Sequence, residues 1–197
     1  MEIIVSIILI AIGYLLGSVP CGLLITKYAG KGDIRNIGSG NIGATNVLRT
    51  GSKKLALITL ALDALKGVVA VLLAKYLVPD WAVSLVALAA VVGHIFPVWL
   101  QFKGGKGVTT TIAIYWALYW PLGLFASIVW IIIFFMSRIS SFSSLSAIIL
   151  STVIALFFGN TTMFLMALVT AVLVTYRHKE NIIRLMRGEE PSFGNKK

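Results

Sequence analysis

The sequence predicts an all-α integral membrane protein with about seven transmembrane helices. Three observations carry that expectation. The chain is 58% hydrophobic and only 12% charged. Its mean hydropathy is +0.95. Its apolar runs are separated by short polar, glycine- or proline-bearing segments. A soluble domain carries roughly 25% charged residues, about twice this share.

The apolar runs place helices at 3–27, 55–77, 81–100, 108–120, 122–137, 144–159 and 162–176. The first run follows Met1-Glu2, without the basic leader and small-residue cleavage site of a secretory signal, and is expected to stay as a span. The last four runs are shorter than the ~20 residues a bilayer usually needs. Pro121 and Asn160 supply natural breaks among them. Fusing 108–137 and 144–176 gives a five-helix rival, at the cost of two helices of about 30 residues, half as long again as a bilayer needs.

The positive-inside rule favours seven. With the N-terminus outside and the C-terminus cytoplasmic, the inner segments collect Lys27, Lys31, Arg35, Arg49, Lys53, Lys54, Lys103, Lys106 and Arg138. They also collect Arg177, Lys179, Arg184, Arg187, Lys196 and Lys197, for 15 of the 17 basic residues. Glu2 and Asp80 fall outside, and Lys66 and Lys75 lie elsewhere. The inner segments are loops 28–54, 101–107 and 138–143 and the tail 177–197. They are too short to fold alone, so residues 1–197 read as one polytopic membrane domain. The net charge of +10 sits on the membrane side, which argues against a nucleic-acid partner.

The most informative stretch is GKGDIRNIGSGNIGATNVLRT, residues 30–50. Its five glycines and three asparagines permit tight turns and close backbone approach. Lys31, Arg35 and Arg49 add positive charge, and Ser39, Asn41, Thr45 and Asn46 add neutral hydrogen-bonding groups. A shorter counterpart is FKGGKG, residues 102–107. Glycine turns leading into helices present backbone N–H groups to phosphate, so two such loops suggest an anion site. GSGNIG at 38–43 matches GxGxxG, with Asp63 twenty residues on, but it lacks the preceding strand of a dinucleotide fold. FKGGKGVTT is too compact for a P-loop.

Juxtamembrane lysines are attracted to anionic headgroups at about 1 kcal/mol each, which accounts for Lys53, Lys54, Lys196 and Lys197. That attraction does not explain why Lys103 and Lys106 are set among glycines, and Arg49, Lys103 and Lys106 are better explained as site residues. His94 in VVGHIFPVW is either a hydrogen-bonded core residue or a site member. Asp63 and Lys66, at i, i+3 in an apolar run, are either a self-neutralising pair or functional. His178, Asn181 and Arg184 share a face in RHKENIIRL, compatible with an interfacial amphipathic helix that turns a polar stripe towards the loops. The serines of SSFSS, 140–144, are expected to cap the following helix, with Ser143 the closer to a site. Cys21 reads as a small packing residue. No metal-ligand spacing surrounds Cys21, His94 or His178, so neither metal nor cofactor is expected.

IGSGNIGATNVLR, GHIFPVWLQFKGGKGVTT and RHKENIIRLMRGEE resemble, in order, three signature segments of the PlsY family of bacterial membrane acyltransferases. The resemblance covers nearly the whole chain. It implies transfer of an acyl group from acyl phosphate to the sn-1 hydroxyl of glycerol 3-phosphate, yielding 1-acyl-glycerol 3-phosphate (lysophosphatidic acid) and phosphate for phospholipid biosynthesis. It also implies an inner-membrane location, a site facing the cytoplasm, contact with membrane lipids, and transient supply of acyl phosphate by a soluble enzyme.

Carried onto this chain, Ser39, Asn41, Lys106, His178 and Asn181 are the expected catalytic residues. Gly40, Thr45, Arg49, Lys103, Gly104, Gly105 and Ser143 are the expected phosphate-binding ones. Acyl-CoA-dependent enzymes use HxxxxD, and neither His94 nor His178 has that aspartate. His178 is one candidate to bind phosphate or take the proton; the resemblance implies instead that a substrate phosphate takes the hydroxyl proton, and this is the preferred expectation. The alternative function is a transporter or flippase for a phosphorylated solute or anionic lipid. A structural membrane subunit that docks a soluble partner would leave Ser39, Asn41 and Lys106 unused.

Overall fold

The computed structural model describes residues 1–193, and Lys196 and Lys197 lie outside the described residues. Every regular element is helical among these residues. The α-helices are α1 (Glu2–Ser18), α2 (Cys21–Tyr28), α3 (Ala44–Val47), α4 (Lys53–Leu77), α5 (Asp80–Ile95), α6 (Val108–Leu118), α7 (Trp120–Ser137), α8 (Ser140–Phe158), α9 (Thr161–Arg177) and α10 (Lys179–Met186).

Five stretches are long and apolar enough to cross a bilayer: Glu2–Tyr28, Lys53–Leu77, Asp80–Leu100, Trp120–Ser137 and Ser140–Phe158. The pair α9 and α10, bent by 64°, makes a sixth. The expected count of seven exceeds this because α6 has only 11 residues. At 1.5 Å per residue it covers about 16 Å of a hydrocarbon core about 30 Å thick.

The chain divides into two compact units, 1–114 and 115–197. In the first, the run expected as one helix over 3–27 is broken at Val19-Pro20. Proline lacks an N–H and excludes the helical conformation from the residue before it. Val19 is accordingly extended (φ −61°, ψ 116°). Small residues let α1 and α5 touch backbone to backbone: a Cβ on Gly17 would strike the Ala90 carbonyl, and one on Gly93 would strike that of Tyr14. Such contacts replace the hydrophobic effect as the packing force between helices in lipid. Tyr14 Oη also donates to the Phe96 carbonyl at 2.9 Å, fixing the end of α5 to α1.

The second unit is built on α7, α8 and α9. Pro121 lies in the first turn of α7, where its missing N–H costs nothing. Asn160 caps α9, its Oδ1 accepting from Met163 N at 2.8 Å. Trp130 Nε1 donates to Ser144 Oγ at 3.0 Å, joining α7 to α8. The serine run does not cap α8, because its N-cap position is Ile139. Ser143 and Ser144 instead donate back to the carbonyls of Ile139 and Ser140, each at 2.8 Å.

Candidate active site

In the first unit, the loop between α2 and α4 is held down by apolar residues at intervals. Ile34, Ile42 and Val47 are buried and form a core cluster with Leu23 of α2 and Ala56 of α4. Their anchoring leaves Ser39, Thr45 and Arg49 exposed. Asn46, 2% exposed, organises the turn between the anchors. Its Nδ2 donates to the carbonyls of Ile34 (3.1 Å) and Ile37 (2.9 Å), and its Oδ1 accepts from Ser39 N (3.1 Å).

Gly38 (φ +57°) and Gly40 (φ +68°) take the left-handed backbone this turn requires. Arg49 lies across Gly38: a Cβ there would come 2.6 Å from both Arg49 Nη1 and Asn46 Oδ1. Asn41 Oδ1 is buried without a hydrogen-bond partner among the described residues. The other basic residue of this turn, Arg35, is committed to Asp33, with Nη2 2.6 Å from Oδ2. Hydrogen bonding to Arg35 holds the Asp33 carboxyl down at about 2.

The second loop folds back onto the end of α5. Gly105 N donates to the His94 carbonyl (3.0 Å) and Gly104 N to that of Ile95 (3.1 Å). Both glycines are buried, and a side chain on Gly105 would collide with the His94 imidazole. Lys103 is exposed and Lys106 half-buried. Beneath His94, Asp63 Oδ1 lies 3.6 Å from His94 Nδ1 and 2.9 Å from Lys66 Nζ. Lys66 Nζ also donates to the Val19 carbonyl at 2.8 Å. Thr110 Oγ1 donates to the Asp63 carbonyl at 2.9 Å.

These contacts revise the expected role of the glycine amides. Those of Gly104 and Gly105 serve the protein's own carbonyls. Gly40 N donates to Ile37 O, and Ser39 N is held by Asn46. Of the expected site residues in these two loops, Ser39, Thr45, Arg49 and Lys103 are exposed and Lys106 is half-buried.

In the second unit, His178 ends α9 and is 2% exposed, its Nδ1 2.8 Å from the Val174 carbonyl. Asn181 and Arg184 of α10 turn onto Glu190. Asn181 Nδ2 donates to Glu190 Oε1 (2.6 Å), Ser141 Oγ donates to the same oxygen (2.7 Å), and Arg184 Nε donates to Oε2 (2.7 Å). Burial opposes ionisation of Glu190, but the donors Ser141, Asn181 and Arg184 outweigh it and lower its pKa. Phe193 N reaches the Arg138 carbonyl at 2.8 Å, so the tail returns to the turn between α7 and α8. Ser143 is fully buried, and its hydroxyl donates to the Ile139 carbonyl.

Reading the sequence singled out Ser39, Asn41, Arg49 and the two lysines, but missed Asn46 as the organiser of the first loop and Glu190 as the centre of the tail. The signal for Glu190 was its place in RHKENIIRLMRGEE, which carries Asn181 and Arg184.

The family model for glycerol-3-phosphate acyltransferase matches residues 7–188. The chain is 57% identical to the glycerol-3-phosphate acyltransferase of Paramagnetospirillum magneticum, over 94% of this chain and 92% of that protein. It is 54% identical to that of Caulobacter vibrioides, over 94% and 86%. Among solved structures it is similar to PlsY, an integral membrane glycerol 3-phosphate acyltransferase, in its glycerol 3-phosphate form. That match has a TM-score of 0.91 at 40% identity and covers 96% of each chain. The lysophosphatidic acid form of the same protein gives a TM-score of 0.88 at 39% identity, over 96% of this chain and 95% of that one. These matches and the helices described above identify an enzyme and set aside the transporter reading: the chain belongs to the glycerol-3-phosphate acyltransferase family.

Proposed function

We propose that this protein transfers an acyl group from acyl phosphate to the sn-1 hydroxyl of glycerol 3-phosphate. The products are 1-acyl-glycerol 3-phosphate and inorganic phosphate. The observation that carries the reading is the first loop. Asn46 and three apolar anchors hold Ser39 and Arg49 outward in a fixed backbone, with the guanidinium laid over Gly38. A planar guanidinium in a preset position suits bidentate phosphate recognition. Lys103 and Lys106 add point charges for a second phosphate, since both substrates carry one.

An acyl phosphate is a mixed anhydride with a good leaving group, so positioning and charge stabilisation supply most of the rate. Attack by the glycerol hydroxyl on the acyl carbon forms the ester C–O bond. Collapse then breaks the bond to the phosphate oxygen, which leaves with the electron pair. Ser39 and Asn41 hold the reacting groups, Asn41 through the buried Oδ1 that has no donor among the described residues. The hydroxyl proton passes to a substrate phosphate. The burial of His178 and the 2.8 Å approach of its Nδ1 to Val174 O favour a holding role for it over proton shuttling. Asn181 is the second holding residue on that face, oriented by Glu190. Thr45 assists phosphate binding, while Gly40, Gly104 and Gly105 shape the loops.

The positive-inside distribution supports seven crossings, the short α6 counted as one of them, with these loops on the cytoplasmic side of a bacterial inner membrane, where a soluble enzyme can deliver acyl phosphate. The test is donor choice. Purified protein should acylate glycerol 3-phosphate from palmitoyl phosphate and ignore palmitoyl-CoA. Turnover with palmitoyl-CoA alone would keep the acyltransferase and overturn the proposed donor.

A further inference from the structure

His94 lies outside the groups that the proposed chemistry uses, yet it is 4% exposed and met from two sides, by Asp63 of α4 and by the second loop. From α4, Asp63 faces its Nδ1 at 3.6 Å, and Lys66 fixes Asp63 from the far side at 2.9 Å. Lys66 is fixed in turn by the Val19 carbonyl, which the proline break after α1 turns aside from regular helical bonding. From above, the second loop rests on His94: its carbonyl takes the Gly105 amide, and its ring occupies the space a Gly105 side chain would need. Tyr14 pins the neighbouring Phe96 carbonyl, so the turn that carries the ring is itself clamped. A buried carboxylate–ammonium pair is costly to desolvate and does not by itself argue for stability. Packing the same volume with apolar side chains would be simpler. What the pair does place is a carboxylate 3.6 Å from the His94 Nδ1, on the side of the ring away from the loop.

We propose that His94 is a positioning residue for the substrate phosphate. The Asp63–Lys66 pair faces its ring as the floor under Gly104-Gly105, and that floor sets the backbone from which the phosphate-binding Lys103 projects. The inference rests on the acyltransferase reading above and extends it to a residue to which that reading gives no substrate contact. Displacing a charged group by about 1 Å costs on the order of 100-fold in rate, so a floor of this kind is functionally visible. Because it acts on binding of a phosphate through the loop, its loss should appear mainly in KM.

The experiment compares purified full-length protein with the variants His94→Ala, His94→Asn, Gly105→Ala and the double variant His94→Ala/Gly105→Ala. Both substrates are titrated, and rates are normalised to the folded fraction. In His94→Ala, KM for glycerol 3-phosphate or palmitoyl phosphate should rise about tenfold or more, with kcat within about threefold. His94→Asn keeps a polar group towards Asp63 and should fall between Ala and the native residue. Gly105→Ala should show the same KM signature. Adding His94→Ala to it should restore activity above the product of the two single effects, because the smaller residue makes room for the methyl group. If His94→Ala does not fold, His94→Asn in the Gly105→Ala background carries the same comparison.

Unchanged KM values for both substrates in the His94 variants, or no recovery in the double variant, would overturn the proposal alone. A native protein inactive with every donor would overturn the acyltransferase reading, and the proposal with it.

Discussion

Lys66 Nζ sits 2.9 Å from Asp63 Oδ1 and 2.8 Å from the Val19 carbonyl, both side chains being buried in the first unit. One ammonium thus joins α4 to the broken turn after α1. Removing either partner leaves the other charge buried without compensation, which costs about 3–5 kcal/mol. Asp63→Asn and Lys66→Met should each lower the thermal midpoint in detergent strongly. The double substitution should cost less than the sum of the two. Strict additivity would show that the two side chains do not act as a pair.

Asn46 supplies three hydrogen bonds to one turn. Asn46→Leu retains the bulk but takes its partner from the Ser39 amide and one of two donors from each of the Ile34 and Ile37 carbonyls, and an unsatisfied group costs about 1–3 kcal/mol if it stays buried. Activity should fall far more than the melting temperature suggests, since Ser39 and Arg49 both depend on that turn. Steady-state kinetics beside a melting curve would show this. Wild-type kinetics would separate the turn from the chemistry.

Glu190 carries the acid sensitivity of the second unit. Its carboxyl pKa is lowered on folding, despite burial, by Ser141, Asn181 and Arg184. A depressed carboxylate contributes its full stabilisation above its unfolded pKa of about 4.3, and loses it as pH falls through the lower folded value. Melting midpoints of the native protein should therefore decline on acidification below that point. Glu190→Gln should start lower at neutral pH and decline less. An identical acid limb in the variant would place the titrating group elsewhere.

Arg49 and Lys106 should separate by chemistry. Arg49→Lys keeps the charge but loses the planar fork, so it should raise the KM for a phosphate substrate markedly. Lys106→Ala removes a charge proposed to stabilise the developing phosphate and should lower kcat by about 100-fold or more. Substrate titrations of the two variants read these effects directly.

Much of this architecture was legible in the sequence because lipid demands long apolar runs, and Asn160 and Pro121 mark two boundaries by capping chemistry and a missing amide. The break at Pro20 was written there too, but a proline inside an apolar run does not reveal how far the chain deviates. The outward residues of the first loop were legible as polar groups among glycines. Their anchors were not, because Ile34, Ile42 and Val47 acquire meaning only against Leu23 and Ala56. Glu190 was hidden for a similar reason: its partner Ser141 is 49 residues away. The glycine amides were misjudged because spacing says nothing about which carbonyl will fold back to meet Gly104 and Gly105.

The most direct test follows inorganic phosphate and lysophosphatidic acid together, from palmitoyl phosphate and glycerol 3-phosphate, in the native protein and Lys106→Ala. The account predicts equal release of both products by the native protein and slow but still equal release by the variant. Phosphate release without lysophosphatidic acid, or undiminished turnover in Lys106→Ala, would contradict it.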